Sequence, residues 1–254
     1  MRRHRRDVGY LRWVLRSVVA SSALAVALLG LGAEPAHAKA TVFGPLGTSS
    51  PLYGQDVGTF SAPAQGDLDG DGDLDLVAGT RLGTFRYFEN IGIATVPTYV
   101  SRTGVANPLD GRDVGFFSAP ALGDLDGDGD LDLVAGEGNG TFFYFENTGS
   151  ATNPAFVQRT GAANPFNGQN VGDSSAPALG DLDGDGDLDL VAGDLYGGFA
   201  WFENTGSATS PAFISLTGAA NPLDGMDVGL LSAPSLADLD ILYPLKESVQ
   251  RHLQ

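Results

Sequence analysis

The amino-acid sequence predicts an all-β fold assembled from tandem four-stranded units, the kind of unit that forms a β-propeller blade. Three observations carry that expectation. The chain repeats itself with a single period of 57 residues. Within each period, short apolar and aromatic runs are divided by Gly, Pro, Asn, Ser and Thr. No window of the repeats sustains the roughly 3.6-residue apolar period of an amphipathic helix.

The period is read most directly from one string. Ser-Ala-Pro-Ala-Leu-Gly-Asp-Leu-Asp-Gly-Asp-Gly-Asp-Leu-Asp-Leu-Val-Ala-Gly fills residues 118–136 and returns unchanged over all 19 positions at 175–193. A near copy at 61–79 carries Gln65 in place of Leu. Asp67, Asp124, Asp181 and Asp238 follow one another at the same interval, as do the Tyr-Phe-Glu-Asn or Trp-Phe-Glu-Asn steps ending at Asn90, Asn147 and Asn204. Self-similarity at a fixed period marks a modular array. The chain therefore divides into a partial repeat (39–60), three whole repeats (61–117, 118–174 and 175–231) and a truncated fourth copy with an unrelated tail (232–254).

Each repeat is expected to hold about four strands. One precedes the Asp-rich segment. A second follows it, where Leu74-Asp75-Leu76-Val77-Ala78-Gly79 alternates and then becomes an apolar run. The third is the aromatic run typified by Phe142-Phe143-Tyr144-Phe145. The fourth lies near Ala155-Phe156-Val157. Aromatic and β-branched residues suit a pleated, half-buried surface, and the Gly, Pro and Asn clusters between them supply the turns.

Ahead of the repeats lies a segment of a different kind. Arg2, Arg3, Arg5, Arg6, Arg12 and Arg16 precede an apolar stretch from Ser17 to about Ala33, and Ala36-His37-Ala38 has a small-x-small form. A basic segment, an apolar segment and a small-residue cleavage site read as a secretory signal over residues 1–38, so the mature chain is expected to be secreted or held at the cell surface. Removing those residues leaves 8 basic against 29 acidic residues, a formal net charge of −21. That sign argues against nucleic acid or an anionic membrane as partner. The chain contains no cysteine, so an exported fold of this kind must draw its stability from its core, from metal, or from both.

The acids are not spread evenly. In Asp67-Leu68-Asp69-Gly70-Asp71-Gly72-Asp73-Leu74-Asp75, carboxylates fall at positions 1, 3, 5, 7 and 9, with Gly at 4 and 6. Asp124, Asp126, Asp128, Asp130 and Asp132 repeat the pattern, as do Asp181, Asp183, Asp185, Asp187 and Asp189. A tight loop of this form can aim positions 1, 3, 5 and 9 at one centre, with the backbone carbonyl of position 7 beside them. Leu68 and Leu74 are expected to face away from the ion and pin the loop. Carboxylates within about 5 Å of one another repel by about 1 kcal/mol per pair even in water-like dielectric, and a divalent cation reverses that sign. The loops hold no Cys or His, which disfavours soft metals, and calcium accepts about six to eight oxygens more readily than magnesium does. An EF-hand is excluded, because position 12 is Ala78, Ala135 or Ala192 and a strand follows instead of a helix.

The Asp-x-Asp-x-Asp-Gly-x-x-Asp loop between two strands, with Leu-Val-Ala-Gly after it, resembles the FG-GAP or VCBS repeat. That repeat builds the β-propeller of integrin α-subunits and of many bacterial exported proteins, and the resemblance covers about 40–240. It implies calcium ligands at Asp67, Asp69, Asp71 and Asp75 with the carbonyl of Asp73. The same roles fall on Asp124, Asp126, Asp128 and Asp132 with Asp130, and on Asp181, Asp183, Asp185 and Asp189 with Asp187, giving about three Ca2+ sites. The fourth copy departs from the pattern: Asp238-Leu239-Asp240 runs into Ile241-Leu242-Tyr243-Pro244 without the glycines or the third acid. Three and a half repeats fall short of the family's usual seven blades. The expectations are a longer natural protein, an open array whose bare sheet edges self-associate, or a composite blade from 41–60 and 232–240.

The expected function is a non-enzymatic binding or adhesion module with structural calcium, facing an extracellular glycan or protein ligand. Arg81-Leu82-Gly83, Glu137-Gly138-Asn139 and Asp194-Leu195-Tyr196 differ between otherwise near-identical repeats and form the candidate recognition surface. The alternatives are a propeller-type carbohydrate-active hydrolase or lyase and a spacer without its own ligand. Against catalysis stand the absence of His from the repeats, the lack of any Ser-His-Asp set and the periodicity of Glu89, Glu146 and Glu203.

Overall fold

A computed structural model describes residues 50–237. The leader at 1–38, the start of the partial repeat, and Asp238 and Asp240 of the fourth copy lie outside the described residues.

The described chain forms three four-stranded antiparallel sheets, one per repeat, with no α-helix among the described residues. The first contains β1 (Ser61–Gly66), β2 (Asp75–Thr80), β3 (Phe85–Asn90) and β4 (Tyr99–Arg102). The second contains β5 (Ala119–Gly123), β6 (Asp132–Gly136), β7 (Phe142–Asn147) and β8 (Phe156–Arg159). The third contains β9 (Ala176–Gly180), β10 (Asp189–Gly193), β11 (Phe199–Asn204) and β12 (Phe213–Leu216). Within each sheet the strands pair in chain order, and all four strands expected per repeat are present. Residues 50–60 and 232–237 carry no strand, so the described residues hold no composite fourth sheet.

The second strand explains how the sheets stack. Asp75–Thr80 is buried at every position, and so is Asp132–Gly136. A sheet covered on both faces needs apolar side chains pointing both ways, which is why Leu-Val-Ala replaces strict alternation there. Val77, Phe85 and Tyr87 of the first blade meet Leu133, Ala135, Phe145 and Phe156 of the second in one cluster. Val134, Phe142 and Tyr144 of the second meet Leu190, Ala192, Phe202 and Phe213 of the third in the next. Phe85 and Phe145 pack edge to face with centroids 6.1 Å apart, and Phe142 and Phe202 do so at 5.6 Å. The first strands β1, β5 and β9 lie side by side, and their Pro-Ala steps line an open cavity of about 740 Å³.

The serine that follows each blade, at the head of the next repeat, clasps that blade. Ser118 Oγ accepts the Thr80 N–H at 2.8 Å and donates to the Thr84 carbonyl at 2.8 Å. Ser175 does the same with Glu137 and Thr141, and Ser232 with Asp194 and Gly198. Buried backbone groups at the β2–β3, β6–β7 and β10–β11 turns are thereby satisfied from the following repeat.

Leu68 is buried under its loop, as expected. Leu74 corrects the expectation: it is 52 % exposed. Its counterparts Leu131 and Leu188 reach back to Gly66 and Gly123 of the preceding blade, where a Cβ would meet them at 2.7 and 2.9 Å. The role is an interblade one, and no described blade precedes Leu74.

Candidate metal centre

The Asp-rich loops join the first and second strands of each blade, at the end of the sheet where β2, β6 and β10 begin. Each loop is wound around its own carboxylates. Asp67 Oδ1 accepts the Gly70 N–H at 2.7 Å and Oδ2 accepts that of Gly72 at 3.0 Å. Asp69 takes the Asp71 N–H and Asp71 takes the Asp73 N–H. The other two loops repeat these bonds. Such tight turns need glycine: Gly70 and Gly72 hold φ of +72° and +93°, in the left-handed region that a Cβ opposes. Gly70 has a second constraint, because the Thr152 methyl of the next blade would lie 2.6 Å from an added Cβ.

This winding brings positions 1, 3 and 5 together. One carboxylate oxygen from each of Asp67, Asp69 and Asp71 lies within 4.8 Å of the others, and the same holds for Asp124, Asp126 and Asp128 and for Asp181, Asp183 and Asp185. Three acidic triads, one per blade, are thus placed to hold a metal ion.

Position 9 is set apart from the triad. Asp75, Asp132 and Asp189 open the second strand and are 0 %, 1 % and 1 % exposed. Asp75 Oδ2 accepts the Leu68 N–H at 3.1 Å and the Tyr87 hydroxyl at 2.8 Å, while Oδ1 accepts the Asn90 N–H at 2.8 Å. Asp132 has the same three donors in Leu125, Tyr144 and Asn147. These acids bolt the loop to the third strand. In the third blade Trp201 replaces the tyrosine. Asp189 keeps only the Leu182 and Asn204 donors, and Trp201 Nε1 is buried without a partner.

Position 7 differs between the loops: Asp73 of the first is only partly buried, whereas its counterparts in the other two are buried. Asp130 and Asp187 are 6 % and 8 % exposed, and Oδ1 of each is buried with no hydrogen-bond partner. A buried carboxylate oxygen without a donor is costly. Burial, then the neighbouring charges of Asp128 and Asp126, push the Asp130 carboxyl up to about 6. Asp187 is raised by burial and by Asp185 and Asp183. Burial also lifts Asp132 to about 7 and Asp189 to about 6, against the hydrogen bonds that favour the ionised form. Asp69 and Asp126 are raised too, first by burial and then by like charge from Asp75 and Asp128 respectively. An all-oxygen donor set, crowded acids and orphaned buried oxygens fit a hard divalent cation.

A glutamate stands one residue before the end of each third strand. Glu89 receives the Arg102 Nε and Nη2 at 2.7 and 2.8 Å, and Glu146 is held by Arg159 in the same forked manner. Glu203 has Leu216 where the arginine stood, and it has no basic partner among the described residues.

The sequence reading missed the tyrosine donors to position 9, the serine clasps and the arginine forks. Their signal was present in the 57-residue recurrence of Tyr87, Ser118 and Arg102, but nothing local tells a recurring polar residue which partner it meets.

No curated protein matches the chain. Comparison with protein families finds the FG-GAP-like repeat twice, over residues 67–135 and 124–192. Each match opens on the first aspartate of one loop and closes within the second strand of the next blade, so the two overlap across the middle Asp-rich loop. Loop, strands and spacing agree with that repeat, and the chain belongs to the FG-GAP-like repeat family.

Proposed function

We propose that the mature chain is an exported, non-enzymatic binding module whose three loops each take up a structural Ca2+. The observation that carries this reading is the convergence of Asp67, Asp69 and Asp71, and of their counterparts, within 4.8 Å. The orphaned oxygens of Asp130 and Asp187 support it. In this reading the triads and the position 7 residues face the ion, and Asp75, Asp132 and Asp189 hold the loop from below. Asp75 Oδ1 takes only one protein donor and keeps a lone pair for the same centre.

The binding surface of this reading lies at the opposite end of the blades. Antiparallel order puts the β2–β3 turns and the interblade connections away from the metal loops. Backbone bonds join these segments across the array. Phe117 N–H reaches the Arg81 carbonyl, Gly138 N–H that of Phe116, Ser174 N–H that of Gly138, Leu195 N–H that of Asp173, and Leu231 N–H that of Leu195. The side chains that differ between repeats stand on this ribbon, with Leu82, Phe116, Tyr196 and Leu230 exposed. Phe117, Ser174 and Leu231 adopt left-handed φ near +55° to +61°, a conformation such residues rarely take. Glu137 departs from the expected surface, since it is buried and caps its own turn through Asn139 and Thr141.

Calcium titration of the full chain by calorimetry, with circular dichroism alongside, tests the metal reading. Three equivalents with a rising melting temperature are expected. A fold and melting temperature unchanged by exhaustive chelation, with no calcium uptake, overturn it. Glycan and matrix-protein arrays then test the ribbon. A glycosidase or lyase activity lost on replacing one acid outside the loops would replace this reading with an enzymatic one.

A further inference from the structure

We propose that the residue diagonally across the sheet from the glutamate near the end of the third strand sets the cation affinity of the adjacent loop: Arg102 and Arg159 attenuate the first two sites, and Leu216 in the arginine's place lets Glu203 strengthen the third. The proposal rests on the calcium reading above.

The placement follows from register. Glu89 lies two residues after Tyr87, on the same face of β3 and one step nearer the loop end, and the Tyr87 hydroxyl itself reaches Asp75 at 2.8 Å. Arg102 lies opposite Tyr87 and diagonally across from Glu89, which pairs with Val100. Glu146 lies in the same way two residues after Tyr144, and Glu203 two residues after Trp201, so each glutamate adds a negative charge on the loop side of its blade. In the first two blades the arginine fork cancels that negative charge. In the third, Leu216 lies opposite Trp201 at the arginine's position, and Glu203 has no basic partner among the described residues. The same blade replaces the tyrosine donor to position 9, so Asp189 offers one more free acceptor site than Asp75 or Asp132. The triad of Asp181, Asp183 and Asp185 and the buried, partnerless oxygen of Asp187 mark this loop as a cation site in its own right. Both changes raise the local demand for positive charge, and near-identical loops thereby acquire unequal affinities.

Trp201 makes the third site readable alone. The other tryptophan, Trp13, lies in the leader. Terbium bound near the indole is sensitised by light at the red edge of the protein spectrum, where tyrosine does not absorb. The experiment titrates the full chain with Tb3+, and with Ca2+ in competition, at low and high salt. Leu216→Arg and Glu203→Gln are each expected to weaken the tryptophan-sensitised site roughly 3- to 10-fold at low salt, the size of a screened unit charge acting on a multivalent ion. Salt should shrink the difference. Arg159→Leu should tighten a tyrosine-sensitised site by a similar factor. Arginine already occupies the equivalent position in two blades, so Leu216→Arg is compatible with the fold. Unchanged third-site affinity in Leu216→Arg and Glu203→Gln, in a wild-type chain that binds normally, overturns this proposal and leaves the calcium reading standing. A wild-type chain that takes up neither Tb3+ nor Ca2+ overturns both.

Discussion

Replacing Tyr144 by Phe removes one oxygen and leaves the ring that packs between the second and third blades. The lost hydroxyl donates to Asp132 Oδ2 at 2.9 Å. Asp132 is 1 % exposed, and its remaining donors are the backbone N–H groups of Leu125 and Asn147. A hydrogen bond to a buried charged group contributes about 1.5–3 kcal/mol. For a chain of this size each kcal/mol corresponds to about 2–4 °C in melting temperature, so Tyr144→Phe should melt roughly 3–12 °C lower. The hydroxyl also favours the ionised form of Asp132. Its removal should therefore move the Asp132 carboxyl further up from about 7, as followed by carboxyl NMR without calcium. Trp201→Phe is the control, because Trp201 makes no bond to Asp189; its cost is one of packing, and the Asp189 titration should stay in place. A Tyr144→Phe chain within about 0.5 kcal/mol of wild type, with an unmoved Asp132 titration, would refute the assignment of Tyr144 as a structural donor.

In chelator, stability should fall as pH rises from about 4 to about 7. Asp132, Asp130 and Asp189 bind protons more tightly folded than unfolded across that window. The folded state then carries more protons, and its advantage is full below the unfolded value and lost as pH passes the folded one. Urea titrations at several pH values check the slope, and saturating calcium should flatten or reverse it. Gly127→Ala should cost more than Gly184→Ala. Both hold left-handed φ, worth roughly 1–2 kcal/mol, but only at Gly127 would the new Cβ meet a neighbouring blade, 2.6 Å from the Thr209 methyl. The added overlap should bring the Gly127→Ala loss to about 2–4 kcal/mol by chemical denaturation. Ser175→Ala strips the clasp from the Glu137 N–H and the Thr141 carbonyl, with an expected loss of about 1–3 kcal/mol and faster amide exchange at the β6–β7 turn.

Much of the architecture was legible because the repeat copies its own local chemistry. Alternation, turn residues and the exact recurrence of Ser-Ala-Pro-Ala placed four strands in every repeat, and the sheets contain them in that order. The loop was legible for the same reason: Gly at positions 4 and 6 announces left-handed turns, and carboxylates two residues apart on such turns face inward. Leu74 shows where this stops. Its sequence environment equals that of Leu131, yet one is exposed and the other packs on Gly66, because a neighbouring blade stands at one site and not at the other among the described residues. Glu137 shows the same limit from the opposite side: a variable turn acid that reads as surface is spent on capping its own turn.

The sequence by itself determined the period, the strand content, the oxygen-only character of the loops and their glycine-dependent winding. All of these follow from covalent neighbours and backbone sterics, which act over a few residues. Only the tertiary structure decided which carboxylates converge and which take up hydrogen bonds, since positions 1, 3 and 5 meet in space while position 9 receives a tyrosine hydroxyl from 12 residues away in the first two blades. It also decided that the three blades are not equivalent. Trp201 and Leu216 look like minor drift in the sequence, and become differences in charge and hydrogen bonding only when the register of β11 and β12 sets them beside Asp189 and Glu203.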